Sequence, residues 1–67
     1  MAKMYMNQFD TSQRYTVQEG KNGLWKLCKH NGRGDWVPFV KGQFPYDEAV
    51  KLLDKWAVAY WWKEVEK

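Results

Sequence analysis

One cysteine, one histidine and eleven lysines and arginines are the side chains from which this 67-residue chain would have to build chemistry. Cys28 becomes a nucleophile only if Lys26, Lys29 or His30 acidifies its thiol, because the thiolate is the reactive form. At an alternating position of a β-like run it reads instead as a small strand residue. His30, beside Asn31 and Gly32, reads as a solvent-facing turn residue and not as a general base. Gly32-Arg33-Gly34 lacks the following Gly, Lys and Ser/Thr of a phosphate-cradling loop and opens no helix. Arg33-Gly34-Asp35 matches an integrin-recognition tripeptide by letter, but it reads as a hairpin turn. No clustered ligand set exists for a metal, and no second cysteine for a disulfide. The chain is therefore expected to be non-catalytic, with no metal, cofactor or small-molecule substrate.

What remains is binding, and the chemistry on offer is cationic and aromatic. Residues 1–46 hold seven lysines and arginines against Asp10, Glu19 and Asp35, a sum of +4; the remainder sums to −1, giving the net +3. Such asymmetry points to an anionic partner for the first two-thirds, although solvated sheet faces also favour Lys, Arg, Thr and Gln. Arg14, Lys26, Lys29, Arg33 and Lys41 are the candidate phosphate contacts and Trp36 the candidate stacking residue. Thr16 and Gln18 are of the type that reads base edges when a sheet enters a groove.

These residues need a sheet to present them. Arg14-Tyr15-Thr16-Val17-Gln18 alternates as a strand, and Asn22-Gly23 is a strong hairpin turn because both residues tolerate positive φ. Leu24 to Lys29 alternates next, with Trp25 and Leu27 on one side and Lys26 and Cys28 on the other. Residues 30–35 form a second turn. Trp36-Val37-Pro38-Phe39-Val40 follows as a strand confined by Pro38 to an edge or a bulge, its buried face ambiguous. Before residue 14, Met4, Met6 and Phe9 leave an additional edge strand open, while Asp10-Thr11-Ser12-Gln13 reads as a turn or loop.

A helix is expected over 46–65, stapled by Phe44, starting at Tyr46 or Asp47 with the Asp47 carboxylate as cap, and ending by fraying. On a 100° wheel Ala49, Val50, Leu52, Leu53, Trp56, Ala57, Tyr60 and Trp61 share a core arc. A domain of this length buries only about 60% of its unfolded surface. Its twelve aromatic residues must supply the core that disulfides or metal would otherwise support. Val58, Trp62 and Val65 fall on the opposite side of the wheel, among Asp47, Lys51, Asp54 and Lys55. They call for a protein target, a second copy in a homodimer, or cover by the N-terminal segment. Lys63 and Glu64 would lie where this helix overhangs the sheet.

The expected fold is thus α+β: an antiparallel sheet of three or four strands over 14–41, with residues 1–13 as an N-terminal segment, packed on one C-terminal helix. Three strands then a helix, with Trp25 and Trp36 in successive strands and Phe44 before a helix containing Ala49, resembles two related groups. These are the DNA-binding domains of the AP2 type and the arm-binding amino-terminal domains of phage integrases. The resemblance covers roughly residues 14–62 and implies that the exposed sheet face docks in the major groove, using Arg14, Lys26 and Trp36. A protein-binding regulator or inhibitor, of the kind a phage encodes, is the alternative. The lone cysteine and the polar N-terminus lead us to expect a cytoplasmic protein without membrane attachment.

Overall fold

Alternation around Tyr15 and Val17 builds the middle of a sheet. In the computed structural model, which describes residues 3–30 and 32–65, residue 31 of the expected turn and residues 66 and 67 lie outside the described residues. The elements are β1 (Met4–Asn7), β2 (Asp10–Glu19), β3 (Trp25–His30), β4 (Val37–Pro38), α1 (Tyr46–Tyr60) and β5 (Lys63–Glu64). Five strands form one antiparallel sheet in the order β4-β3-β2-β1-β5, and α1 packs against β2 and β3. The fold is α+β, as the residue pattern predicts.

Register decides which residues meet the helix. Pairs Tyr15↔Lys29 and Val17↔Leu27 share one face, and Arg14↔His30, Thr16↔Cys28 and Gln18↔Lys26 share the other. The first face is the core: Tyr5, Tyr15, Val17 and Leu27 pack against Ala49, Leu53 and Ala57 of the helix. Positive φ at Asn22 (57°) and Gly23 (74°) makes the β2–β3 turn, closed by the Leu24 N–H donating to the Lys21 carbonyl at 3.0 Å. Pro38, which has no N–H for a ladder, sits on edge strand β4, pairing with Cys28. On that strand Val37 and Phe39 take the helix side and Pro38 the open side.

Three expectations need correction. The additional strand left open before residue 14 is present as β1, inside the sheet between β2 and β5, but the stretch from Asp10 to Gln13, expected as a turn or loop, extends β2; the turn falls at Gln8 and Phe9, where the Asn7 carbonyl Oδ1 accepts the Phe9 N–H at 2.8 Å. Asp47 does not cap the helix. Pro45 occupies the cap position without a side-chain hydrogen bond, and Asp47 and Glu48 lie in the first turn, where their charge suits the dipole. A two-way backbone bridge between Trp25 and Phe44 fixes this entry instead.

The third correction is the helix end. The helix stops at Tyr60, and Trp61 adopts the left-handed conformation (φ 58°, ψ 39°). Its N–H donates to the Ala57 carbonyl, the 5→1 bond of an αL cap, and the Trp62 N–H donates to the same carbonyl as a 6→1 bond. The chain then runs back as β5, with Lys63 and Glu64 pairing with Met6 and Tyr5. The Val65 N–H extends the pairing to the Met4 carbonyl at 2.8 Å. There is no overhang: reversing at Trp61 gives β5 a ladder partner and turns Trp62 inward, which a straight helix would have left facing water.

Candidate functional site

The sheet has one covered face and one open face, and charge divides between them. Register places Arg14, His30, Lys26 and, through β5, Lys63 on the open face. Glu19 and Glu64 pair with Trp25 and Tyr5 and belong to the helix side. At the far tip of β2, beyond an irregularity in the β1–β2 register, Asp10 pairs with Asn7 outside the regular alternation. Its carboxylate accepts both the N–H and the hydroxyl of Ser12, and the hydroxyl bond at 2.6 Å is the main cause holding its pKa below the ordinary value. Across the molecule the helix carries Asp47, Glu48 and Asp54 against Lys51 and Lys55.

Of the expected nucleic-acid contacts, Arg14 and Lys26 share this open face. Trp36 joins them, its ring 5.2 Å from that of His30. Lys41 lines a shallow groove with Lys26, Pro38 and Gln43. Lys29 does not join them, because pairing with Tyr15 and Val37 puts it on the helix side. Arg33, in the β3–β4 turn, lines a polar pocket with Lys29, Gln13, His30 and Asp35. Thr16 is withdrawn from any reading of bases: it is buried and its hydroxyl donates to the Lys3 carbonyl at 2.6 Å. Lys63 is the open-face cation that sequence spacing could not find, since only the β1–β5 pairing brings it there.

His30 is structural to its turn. The Gly32 N–H must donate to Nδ1 at 3.0 Å, so Nε2 carries the ring proton and donates to the Gly34 carbonyl at 2.5 Å. Cys28 is 0% exposed although no helix crosses its face. Its thiol pKa is raised by burial, partly offset by the charge of Lys26, the opposite of what a nucleophile needs. Among the described residues, no three His, Cys, Asp or Glu side chains gather as metal ligands.

A second surface lies where the helix end meets the β1–β2 turn. Of the expected patch, Val58 and Trp62 line one groove together with Trp61, and Val65 is not among its lining residues. Val58 is 75% exposed, while Trp62 stacks on Tyr15 with centroids 3.5 Å apart and planes 4° from parallel. Phe39 and Trp56 extend this ring cluster and Tyr60 closes it. The exposed large apolar residues of this end are Phe9 (78%), Val58 and, contrary to their expected place on the core arc, Tyr60 (58%) and Trp61 (68%), because the reversal after Tyr60 carries them past the covered sheet. Beside the cluster, Asp54 Oδ1 accepts from the Tyr5 hydroxyl at 2.6 Å and from Lys3 Nζ at 3.3 Å. Burial first, and the carboxylate second, raise the Tyr5 pKa.

No family model, curated protein or solved structure matches the chain, so the resemblance to AP2-type and integrase arm-binding domains gains no support from them. The sheet also has five strands, not the expected three or four, with β1 and β5 both added beyond β2 on one side of the three of the resemblance. No helix is long and apolar enough to cross a membrane among the described residues.

Proposed function

We propose that this chain is a non-catalytic nucleic-acid-binding module that lays DNA on its open sheet face. The observation that carries this reading is the charge division: Arg14, Lys26 and Lys63 on a face to which the regular strand pairing brings no acid among the described residues, with the acidic helix turned away. Arg14, Lys26 and Lys63 would neutralise phosphates, Gln18 would reach base edges, and Trp36 would pack on sugar or base. Titration of a labelled duplex at several salt concentrations tests it. Log affinity should fall linearly with log salt, and Arg14→Ala or Lys26→Ala should weaken binding and reduce the slope by about 1 each with the circular dichroism unchanged. Salt-insensitive binding, or none, overturns the reading.

A second reading rests on Trp61. A bulky residue held left-handed costs on the order of 1–3 kcal/mol, and such strain collects at functional sites. Here it displays a largely exposed indole next to Val58. That is the surface a protein-binding regulator or inhibitor would use. If so, Trp61→Ala abolishes capture of the protein target and leaves duplex binding intact; unchanged capture removes this reading.

A further inference from the structure

The helix end and the β1–β2 turn enclose an aromatic cleft of about 390 Å3, within the roughly 300–1,000 Å3 usual for small-ligand sites. Phe9 stands on the turn side and Trp56 and Tyr60 on the helix side, with Trp62 also lining it. Phe9 is largely exposed, and Tyr60, although stacked on Trp56, keeps more than half of its surface exposed, so ring surface is open to a ligand. The single charged residue lining the cleft is Lys29. Lys29 also lines the polar pocket with Arg33, His30 and Asp35, and His30 shares the open face with Arg14, so Lys29 joins the cleft to a polar surface that leads round the end of β3 to that face.

We propose that this cleft takes an unpaired base of single-stranded nucleic acid, stacked on Phe9 and Tyr60, with Lys29 on the adjoining phosphate. Planar rings match the base and the lysine matches its phosphate; a cationic ligand would be repelled by the same lysine. The Asn7 amide and the Tyr15 hydroxyl at the cleft are already committed. Asn7 Oδ1 accepts the Phe9 N–H, Asn7 Nδ2 donates to the Tyr15 hydroxyl at 3.4 Å, and that hydroxyl donates to Gln13 at 3.1 Å. Stacking therefore dominates over base-edge reading, and the cleft tolerates any base. The inference rests on the nucleic-acid reading above and adds the single-stranded form to it.

The test is anisotropy of a labelled oligothymidylate and a labelled duplex against the full chain, with Phe9→Ala, Tyr60→Ala and Lys29→Gln, each verified as folded by circular dichroism. Phe9→Ala alone suffices if Tyr60→Ala loosens the helix end. Each ring removed should weaken oligothymidylate binding about 5- to 150-fold and leave duplex binding within about twofold. Oligothymidylate binding indifferent to Phe9 and Lys29, beside duplex binding that depends on Arg14, overturns the cleft alone. Cleft-dependent oligothymidylate binding without duplex binding keeps the cleft and overturns the open face; no binding of either kind overturns both. An oligoproline peptide that occupies the cleft while oligothymidylate does not reassigns it to a protein and likewise overturns the proposal.

Discussion

Adjacent tryptophans at the helix end should respond in opposite ways to substitution. Trp62 is half-buried and stacked on Tyr15, with Phe39, Trp56 and Tyr60 around it. A fully buried large ring removes about 150–250 Å2 from water, about 4–6 kcal/mol at 25 cal/mol per Å2. Half of that, with about 1 kcal/mol for the stacked pair, puts Trp62→Ala at about 3–4 kcal/mol of destabilisation. The whole domain is held by only about 3–10 kcal/mol at its length. Its melting temperature should therefore drop by about 12–30 °C, or the protein should be partly unfolded at room temperature. Trp61 has little packing to lose and sits at φ 58°. Trp61→Gly relieves the left-handed strain and should be neutral or stabilise by up to about 1 kcal/mol. Urea denaturation followed by circular dichroism measures both without depending on the indoles removed. Similar effects for the two variants, or a larger loss at Trp61, would refute the inward placement of Trp62 and the left-handed cap together.

Other predictions concern buried and titrating groups. Cys28 should stay unlabelled by a thiol reagent in the native protein and react once urea unfolds the chain, because its thiol is both enclosed and raised in pKa; immediate native labelling contradicts this. The Tyr5 phenol is raised above its ordinary 10.0, chiefly by burial. A raised pKa means stability that is complete below the unfolded value and is lost as pH climbs through the folded one. Lys3, raised mainly by its hydrogen bond to Asp54, acts in the same direction. Unfolding free energy should therefore decline above about pH 10, and Tyr5→Phe should flatten that decline; an equally steep fall in the variant refutes the assignment. Nitrogen chemical shifts of the neutral ring should show His30 as the Nε2–H tautomer, and His30→Ala should speed amide exchange at Gly32; the Nδ1–H form would contradict the turn geometry.

Much of the fold is legible locally. Alternation at Tyr15, Val17, Trp25 and Leu27 names the covered face, Asn22-Gly23 the hairpin turn, Pro38 the edge, and Ala49, Leu53 and Ala57 the helix stripe. Period and turn chemistry act between near neighbours, so they can be read from spacing. Lys29 shows the limit at the candidate site: it lies two residues from Leu27 on the same face, yet the charge grouping had set it with Lys26. Lys63 carried no local signal at all, since its place depends on a strand far away in the chain.

By itself the sequence determined a sheet packed on one helix, an aromatic core in place of disulfides, and a first part richer in positive charge. Tertiary structure decided where the helix ends. Nothing in residues 58–65 breaks a helix by propensity, but pairing β5 with β1 satisfies backbone groups on the sheet edge, and stacking Trp62 on Tyr15 buries an indole otherwise left in water. Those gains exceed the cost of holding Trp61 left-handed, and they exist only once β1 and β2 have folded. The same reversal brings Lys63 onto the open face and shapes the aromatic cleft beside it.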